Sequence, residues 1–233
     1  MANLKDIKGI SIQTFSSDPA NPATGDMWYN STSCAFKCFK TPVAGWTAGG
    51  ALATARRYLA GAGASNTAAL AFGGRTGPPP VATNVACTQS YNGSAWTAGG
   101  AMGTARSGLK GAGASNTAAL AFGGYATARV ACTESYNGST WTAGGDMGTA
   151  RSGLAGAGTN TEALAFGGRT TDVVACTESY NGSTWSAGSA MGTARRYLAG
   201  AGTNTAALGF GGYSTSTVAC TESYSVGKSF KNF

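Results

Sequence analysis

The stretch that decides the fold reads W-T-A-G-G-D-M-G-T-A-R-S-G-L-A-G-A-G-T-N-T-E-A-L-A-F-G-G at positions 141–168, and V-A-C-T-E-S-Y-N-G-S-T follows at 174–184. The block recurs four times in this chain of 233 residues, with tryptophans at Trp46, Trp96, Trp141 and Trp185. The tryptophans are 50, 45 and 44 residues apart. A period of this length, rich in glycine and β-forming residues, is typical of the blades of a β-propeller.

Each copy divides into four short β segments, of the types L-A-G-A-G, A-L-A-F, V-A-C-T-E-S-Y and S-T-W-T-A. A Gly-Gly pair ends the second segment, where the backbone must turn sharply. An Asn-Gly pair separates the third and fourth segments, and since both residues tolerate positive φ we expect a tight type I′ hairpin there. These pairs are Asn92-Gly93, Asn137-Gly138 and Asn181-Gly182.

The number of blades follows from the two ends of the chain. In the last copy Phe230 takes the tryptophan position, so that copy completes a fourth blade. Ahead of Trp46, residues 26–30 and 35–40 predict a hairpin, and Trp46 belongs to the fourth strand of that earlier unit. We therefore predict an all-β, five-bladed propeller of four-stranded blades over residues 26–233, with a degenerate N-terminal blade. Residues 1–25 either supply its first strand, at Ile7–Gln13, or form an arm that docks elsewhere.

The composition suits closely stacked sheets of small side chains. Only 11% of the residues are charged and 37 are glycine. No run of about 18 apolar residues occurs, so we expect no membrane insertion, and the N-terminus lacks the pattern of a secretory signal. One cysteine recurs at an equivalent place in each copy, too far from its counterparts for a bridge; we expect free thiols and assembly in a reducing interior. These residues are Cys87, Cys132, Cys176 and Cys220.

The repeat resembles the kelch motif, whose members fold as β-propellers. The resemblance covers residues 46–224 and rests on Gly-Gly, then Glu-x-Tyr, a Trp after a turn, and A-M-G-T-A-R, in that order. A closer resemblance is to kelch-like virion proteins of tailed, marine and cyanobacterial bacteriophages. It rests on P-A-N-P-A-T-G-D-M-W-Y-N-S-T-S at 19–33 and on the repeated G-W-T-A-G-G and A-A-L-A-F-G-G blocks. It implies a structural or fibre protein of the particle, assembled in the host cytoplasm, whose N-terminal segment joins the repeats to the virion.

The sequence contains little that indicates an enzyme. Kelch propellers include a copper radical oxidase, but this chain has no histidine, the commonest copper and zinc ligand. We predict no enzyme, cofactor or metal. A glycan-degrading enzyme with paired carboxylates is the remote alternative. Three of the nine acidic residues recur at one repeat position, where we expect them to pair with loop arginines; they are Glu134, Glu178 and Glu222.

All nine arginines fall in the loops that we assign to one face of the propeller. One arginine per copy stands at the structural position of the repeat and is expected to brace the loops: Arg56, Arg106, Arg151 and Arg195. The other arginines, with nearby tyrosines, suit a ligand that carries carboxylates or phosphates. The predicted binding face comprises Arg57, Tyr58, Arg75, Tyr125, Arg129, Arg169, Arg196, Tyr197 and Tyr213.

The sequence is therefore compatible with two functions. One is an attachment protein of a tail fibre or spike, which binds host surface polysaccharide or a fibre partner. The other is a decoration or connector protein that packs on capsid, tail or fibre proteins, in multiple copies per particle. A net charge of +7 favours an acidic partner in either case. Nucleic acid is not predicted as a partner, because the arginines are spread over loops without a groove-reading motif.

Overall fold

The structure, a computed structural model, describes residues 12–39 and 45–227. Within these ranges the chain is all-β and forms no helix. It divides into two compact units, Met1–Ala48 and Gly49–Phe233. Three sequence predictions fall outside the described residues: the Ile7–Ser11 part of the first strand, the Lys40 end of the hairpin, and Phe230 at the tryptophan position.

The first unit is a small sheet built around the predicted hairpin. Its strands, in the spatial order β1-β2-β3, are β1 (Gln13–Phe15), β2 (Met27–Asn30) and β3 (Ala35–Cys38). Strands β2 and β3 pair antiparallel, as predicted, whereas β1 pairs parallel to β2. Trp46 lies in no strand, contrary to the prediction that it belongs to a fourth strand of this sheet.

A polar cluster on Asp18 holds the first unit together. The Asp18 carboxylate accepts hydrogen bonds from Trp28 Nε1 at 3.1 Å and Asn30 Nδ2 at 2.7 Å. Lys37 Nζ lies 2.7 Å from the other carboxylate oxygen. These donors, Lys37 first, lower the pKa of Asp18 from 3.8 to about 2. One carboxylate thus ties together the segment before β2 and both strands of the hairpin.

The second unit consists of four repeats, each with its own antiparallel sheet. The first repeat contains β4 (Ala60–Ser65), β5 (Ala68–Phe72), the ribbon strands β6 (Arg75–Thr76) and β7 (Thr83–Asn84), β8 (Thr88–Tyr91) and β9 (Trp96–Gly99). The second contains β10 (Lys110–Ser115), β11 (Ala118–Phe122), β12 (Thr133–Tyr136) and β13 (Trp141–Ala143). The third contains β14 (Ala155–Gly158), β15 (Ala163–Phe166), β16 (Thr177–Tyr180) and β17 (Trp185–Gly188). The described part of the fourth contains β18 (Ala199–Gly202), β19 (Ala206–Phe210) and β20 (Thr221–Ser225).

The turn between the third and fourth strands differs from the predicted type I′ hairpin. Tyr136 pairs with Trp141 across a loop of four residues, and only Gly138, not Asn137, has a positive φ. The Asn137 side chain accepts hydrogen bonds from the backbone N–H groups of Ser139 and Thr140, at 3.0 and 2.9 Å. This side-chain turn leaves Asn137 in an ordinary backbone conformation, so the type I′ geometry is not needed.

Neighbouring repeats are joined by an aromatic contact that recurs. Trp141 of the second repeat packs on Phe72 of the first with ring centroids 4.9 Å apart, and its indole N–H donates to Thr88 Oγ1 at 2.9 Å. Trp185 meets Phe122 and Thr133 of the repeat before it in the same way. The first strands of successive repeats, β4, β10, β14 and β18, also lie side by side. The core therefore lies between sheets, where the phenylalanines of the first three repeats, Phe72, Phe122 and Phe166, are each covered by the next repeat.

Candidate functional site

The arginine at the structural position is fully buried in the second, third and fourth repeats and half-buried in the first, and its terminal nitrogens are held by several contacts. Arg151 is 0% exposed; its Nη1 donates to the Cys176 carbonyl at 2.6 Å and its Nη2 lies 3.0 Å from Glu178 Oε1. The other oxygen of Glu178 accepts a hydrogen bond from Gly148 N at 2.6 Å. The same arrangement recurs at Arg106–Glu134 and Arg195–Glu222, while Arg56 faces Gln89. The expected pairing of the repeated glutamates with loop arginines is thus confirmed.

Backbone pairing brings the remaining arginines to one end of the repeat array. In each repeat, the residue after the structural arginine pairs with the residue that follows Gly-Gly. The loop before the first strand and the loop after the second strand therefore share one end of each sheet. The four pairs are Arg57 with Arg75, Ser107 with Tyr125, Ser152 with Arg169, and Arg196 with Tyr213.

In each repeat, one further residue follows the first member of this pair: Tyr58, Gly108, Gly153 or Tyr197. Backbone hydrogen bonds link these four residues from one repeat to the next. Gly108 N donates to the Tyr58 carbonyl at 2.9 Å, Gly153 N to the Gly108 carbonyl at 2.8 Å, and Tyr197 N to the Gly153 carbonyl at 2.7 Å. All four residues have positive φ, between 56° and 63°. Glycine adopts this conformation freely, whereas tyrosine does so at a cost in free energy. Tyr58 and Tyr197 are nonetheless placed there, with 56% and 60% of their surface exposed.

These elements enclose a concavity of about 300 Å³ to which all four repeats contribute. Its lining includes Gly108 and Gly153 of the hydrogen-bonded chain, with Ser107 and Ser152 next to them in the sequence. No acidic side chain lines it. Seven of the nine residues predicted as a binding face line this concavity: Tyr58, Arg75, Tyr125, Arg129, Arg169, Arg196 and Tyr197. We call it the arginine concavity.

Its four arginines have no ion-pair partner among the described residues. Arg75 Nε donates to the Ala82 carbonyl and Arg169 Nε to the Thr171 carbonyl, each at 3.0 Å, so both side chains are held by their own loops. The terminal nitrogens of Arg75 and Arg169 make no hydrogen bond within the described residues. The loops therefore present guanidinium groups whose charge is not neutralised by the protein.

Arg196 is positioned by aromatic side chains. Its guanidinium carbon lies 4.9 Å from the ring centroid of Tyr197 and 5.1 Å from that of Tyr213. Such stacking holds the planar group in place and leaves its edge available for hydrogen bonds. Tyr213 itself lines a shallower cavity of about 260 Å³ beside the arginine concavity, together with Arg169, Arg196 and Asp172.

Arg57 is the predicted site residue that has another role. Its Nη1 donates to the Gly77 carbonyl at 2.7 Å, and it does not line the arginine concavity. Gly77 lies in the loop that is longer in the first repeat than in the others. Arg57 thus supports this loop from outside the concavity.

Sequence reasoning missed two residues near the concavity. Asn84 Nδ2 donates to the backbone carbonyls of Tyr125 and Ala126, at 2.9 and 2.8 Å, and so ties the long loop of the first repeat to the loop of the second. Lys110 replaces the alanine that the other repeats have in the first strand, and it lines an adjoining cavity. Both departures from the repeat pattern are visible in the sequence, but their surroundings are not.

The described residues contain no group of three or more potential metal ligands and no helix long and apolar enough to cross a membrane. Comparison of the chain with models of protein families gave no match. Comparison with curated proteins gave no match either.

Proposed function

We propose that this chain is a non-catalytic binding protein that uses the arginine concavity to hold an acidic partner. One observation carries the proposal: Arg75, Arg129, Arg169 and Arg196 line a single concavity that contains no acidic side chain. Clefts lined by charges of one sign raise the local concentration of counter-charged ligands. An anion bound in this concavity neutralises guanidinium charges that have no ion-pair partner among the described residues.

The chemistry of the lining favours an acidic glycan over a simple salt ion. A guanidinium group matches a carboxylate in shape and binds it through two parallel hydrogen bonds. Exposed tyrosine rings offer an apolar face and a hydroxyl group to the same ligand. Tyr58 and Tyr197 provide two such rings from the first and fourth repeats. A chain of uronic acids, which has a carboxylate on each sugar ring, meets both requirements.

The setting that we propose for this activity is the virion of a tailed phage, at a tail fibre or spike. The resemblance of the repeats to kelch-like virion proteins supports it. The finer architecture that we propose is the five-bladed propeller, since the recurring Phe–Trp contact between repeats is of the kind that joins successive blades.

Binding of a polyuronate to the immobilised protein tests the function. The double variant Arg169→Ala/Arg196→Ala should weaken binding at least about tenfold, because each lost charge-assisted contact costs about 1.5–3 kcal/mol where it is buried. Binding should also weaken as salt rises. A neutral glucan serves as the control ligand, and Thr159→Ala/Asn204→Ala, in the turns between first and second strands, as the matched control protein. Equal binding by wild type and by the arginine variant contradicts the proposal.

A second candidate function is a connector that packs on other virion proteins, and one observation favours it. Leu208 and Phe210 of the fourth repeat are 40% and 39% exposed, whereas the equivalent Leu164 and Phe166 are 0% and 4% exposed. In an array that ends at the fourth repeat, without a fifth blade against it, these uncovered apolar side chains form a surface that another protein can cover. If this function holds, Phe210→Ser reduces incorporation into particles while polyuronate binding stays unchanged.

A further inference from the structure

Two tyrosines stand at a backbone position that glycine occupies in the other repeats. Tyr58 and Tyr197 follow Thr-Ala-Arg-Arg in the first and fourth repeats, whereas Gly108 and Gly153 follow Thr-Ala-Arg-Ser in the second and third. All four residues have the same left-handed backbone conformation, with φ between 56° and 63°. The backbone hydrogen bonds between repeats fix this position. The fold does not require a side chain here, since two repeats have none.

The tyrosines carry a cost in folding that glycine avoids. A left-handed backbone brings the Cβ atom of any residue except glycine into close contact with its own backbone, and this destabilises the folded state. Burial of the rings offers little compensation, because 56% of Tyr58 and 60% of Tyr197 remain exposed. Residues held in such conformations cluster at binding sites, where the position of the side chain is needed for function. The placement of the two rings therefore indicates a role outside folding.

The Tyr197 ring is held in place while most of the residue stays exposed. A Cβ atom added to Gly153 would lie 2.9 Å from Tyr197 Cε1 and 3.0 Å from Cδ1, so the ring occupies the space that a side chain at position 153 would need. The guanidinium carbon of Arg196 lies 4.9 Å from the centroid of this ring. In the first repeat, the guanidinium carbon of Arg57 lies 5.9 Å from the ring centroid of Tyr58. Both tyrosines line the arginine concavity.

We infer that Tyr58 and Tyr197 are the residues by which the arginine concavity distinguishes a glycan from other polyanions, because their rings stack on the sugar rings whose carboxylates the arginines bind. The inference rests on the proposed function, since it assumes an acidic ligand in this concavity. The C–H groups on one face of a sugar ring form an apolar surface, and an exposed tyrosine ring is a flat apolar surface that matches it. An acidic peptide has the charge of a polyuronate but lacks this surface.

Three substitutions of both tyrosines separate the ring from the backbone strain. Glycine removes the ring and the strain, alanine removes the ring but keeps the strain, and phenylalanine keeps both. We expect Tyr58→Gly/Tyr197→Gly and the double alanine variant to bind a uronate tetramer about tenfold more weakly than wild type. The double phenylalanine variant should bind it within about twofold of wild type, since the rings remain.

Chemical denaturation of the same variants shows whether the rings serve the fold. The glycine variant should have a higher denaturation midpoint than the alanine variant, since only glycine adopts this conformation without strain. It should also be no less stable than wild type. A glycine variant that is clearly less stable than wild type would show that the rings stabilise the fold, and this would overturn the inference.

A comparison of ligands tests the specificity. A glutamate tetramer capped at both ends has the same number of carboxylates as the uronate tetramer. Wild type should bind the uronate about tenfold more tightly, and the double glycine variant should bind the two ligands within about twofold of each other. Arg169→Ala/Arg196→Ala should weaken the binding of both. A thymidylate tetramer, which combines charge with planar rings, should bind to wild type more weakly than the uronate.

The outcomes separate the inference from the proposed function. Unchanged uronate affinity in the double glycine variant, or equal affinity of wild type for the uronate and the glutamate tetramers, overturns the role of the tyrosines. If Arg169→Ala/Arg196→Ala still lowers uronate affinity in that case, the proposed function stands. Tighter binding of the thymidylate than of the uronate overturns recognition of a glycan by these rings. A wild-type protein that binds none of the three ligands overturns both the inference and the proposed function.

Discussion

Arg151 Nη2 lies 3.0 Å from Glu178 Oε1, with 0% and 6% of the two side chains exposed. The pair links the loop before one strand to the third strand of the same sheet, and Glu178 also holds the backbone of Gly148. Because equivalent pairs recur in the second and fourth repeats, this contact is part of the framework that keeps the loops of the arginine concavity in place.

Removing the carboxylate of Glu178 should destabilise the protein strongly. Glu178→Ala leaves the Arg151 charge buried without its partner, which typically costs about 3–5 kcal/mol. Glu178→Gln should cost less, since the first repeat already has glutamine at this position, where Gln89 lies 3.4 Å from Arg56. Chemical denaturation of the two variants measures the difference. Equal stability of wild type and Glu178→Ala would show that the pair contributes nothing to the fold.

Two substitutions of Trp185 should separate the contributions of its ring packing and of its hydrogen bond to the stability of the protein. Trp185→Phe keeps a ring against Phe122 but removes the donor to Thr133 Oγ1, so we expect a loss of about 1 kcal/mol. Trp185→Ala also removes the ring and should cost about 3–5 kcal/mol. Denaturation curves give both values. If Thr133→Val and Trp185→Phe have additive effects when combined, the hydrogen bond between the two residues is not formed.

Acid should weaken the first unit in a specific pH range. The folded pKa of Asp18, about 2, is below the ordinary 3.8, so Asp18 stabilises the folded unit above the ordinary pKa, and this contribution is lost as pH falls toward 2. The indole N–H resonance of Trp28, which reports its hydrogen bond to Asp18, should change over that range. In Asp18→Asn the change should disappear. A carboxyl resonance of Asp18 that titrates at 3.8 would refute the hydrogen-bonded cluster.

The cysteines should remain unpaired under oxidising conditions. All six are free in the structure, and the four of the repeats each lie beside the structural arginine of their own repeat. Cys34 and Cys38 are exposed and should be alkylated first. Mass spectrometry of the unreduced protein after timed alkylation measures both points. A bridge between any two of the repeat cysteines would contradict the placement of the sheets.

The repeat pattern was sufficient to predict the strands, the Arg–Glu pairs and the shared end of the loops, because equivalent residues must have equivalent surroundings. Prediction failed at the repeated Asn-Gly turns, whose geometry is set by the asparagine side chain, and at Lys110, Tyr58 and Tyr197, where the sequence departs from the repeat. In the sequence, Lys110 cannot be distinguished from a solvated lysine. The structure shows that its stem packs against Gly156 of the next repeat. The positive φ of Tyr58 and Tyr197 is hidden because tyrosine rarely adopts it, although Gly108 and Gly153 at the same position were a usable signal.

A titration of arginine side-chain ¹⁵Nε resonances with a uronate tetramer tests the central claim most directly. The structure places Arg129, Arg169 and Arg196 in the concavity and buries Arg106 and Arg151 elsewhere. We predict that the first three resonances shift with one common dissociation constant, while the two buried arginines stay in place. Shifts confined to backbone signals of the opposite turns, around Thr159 and Asn204, or no shifts at all, would contradict an acidic-ligand site at the arginine concavity.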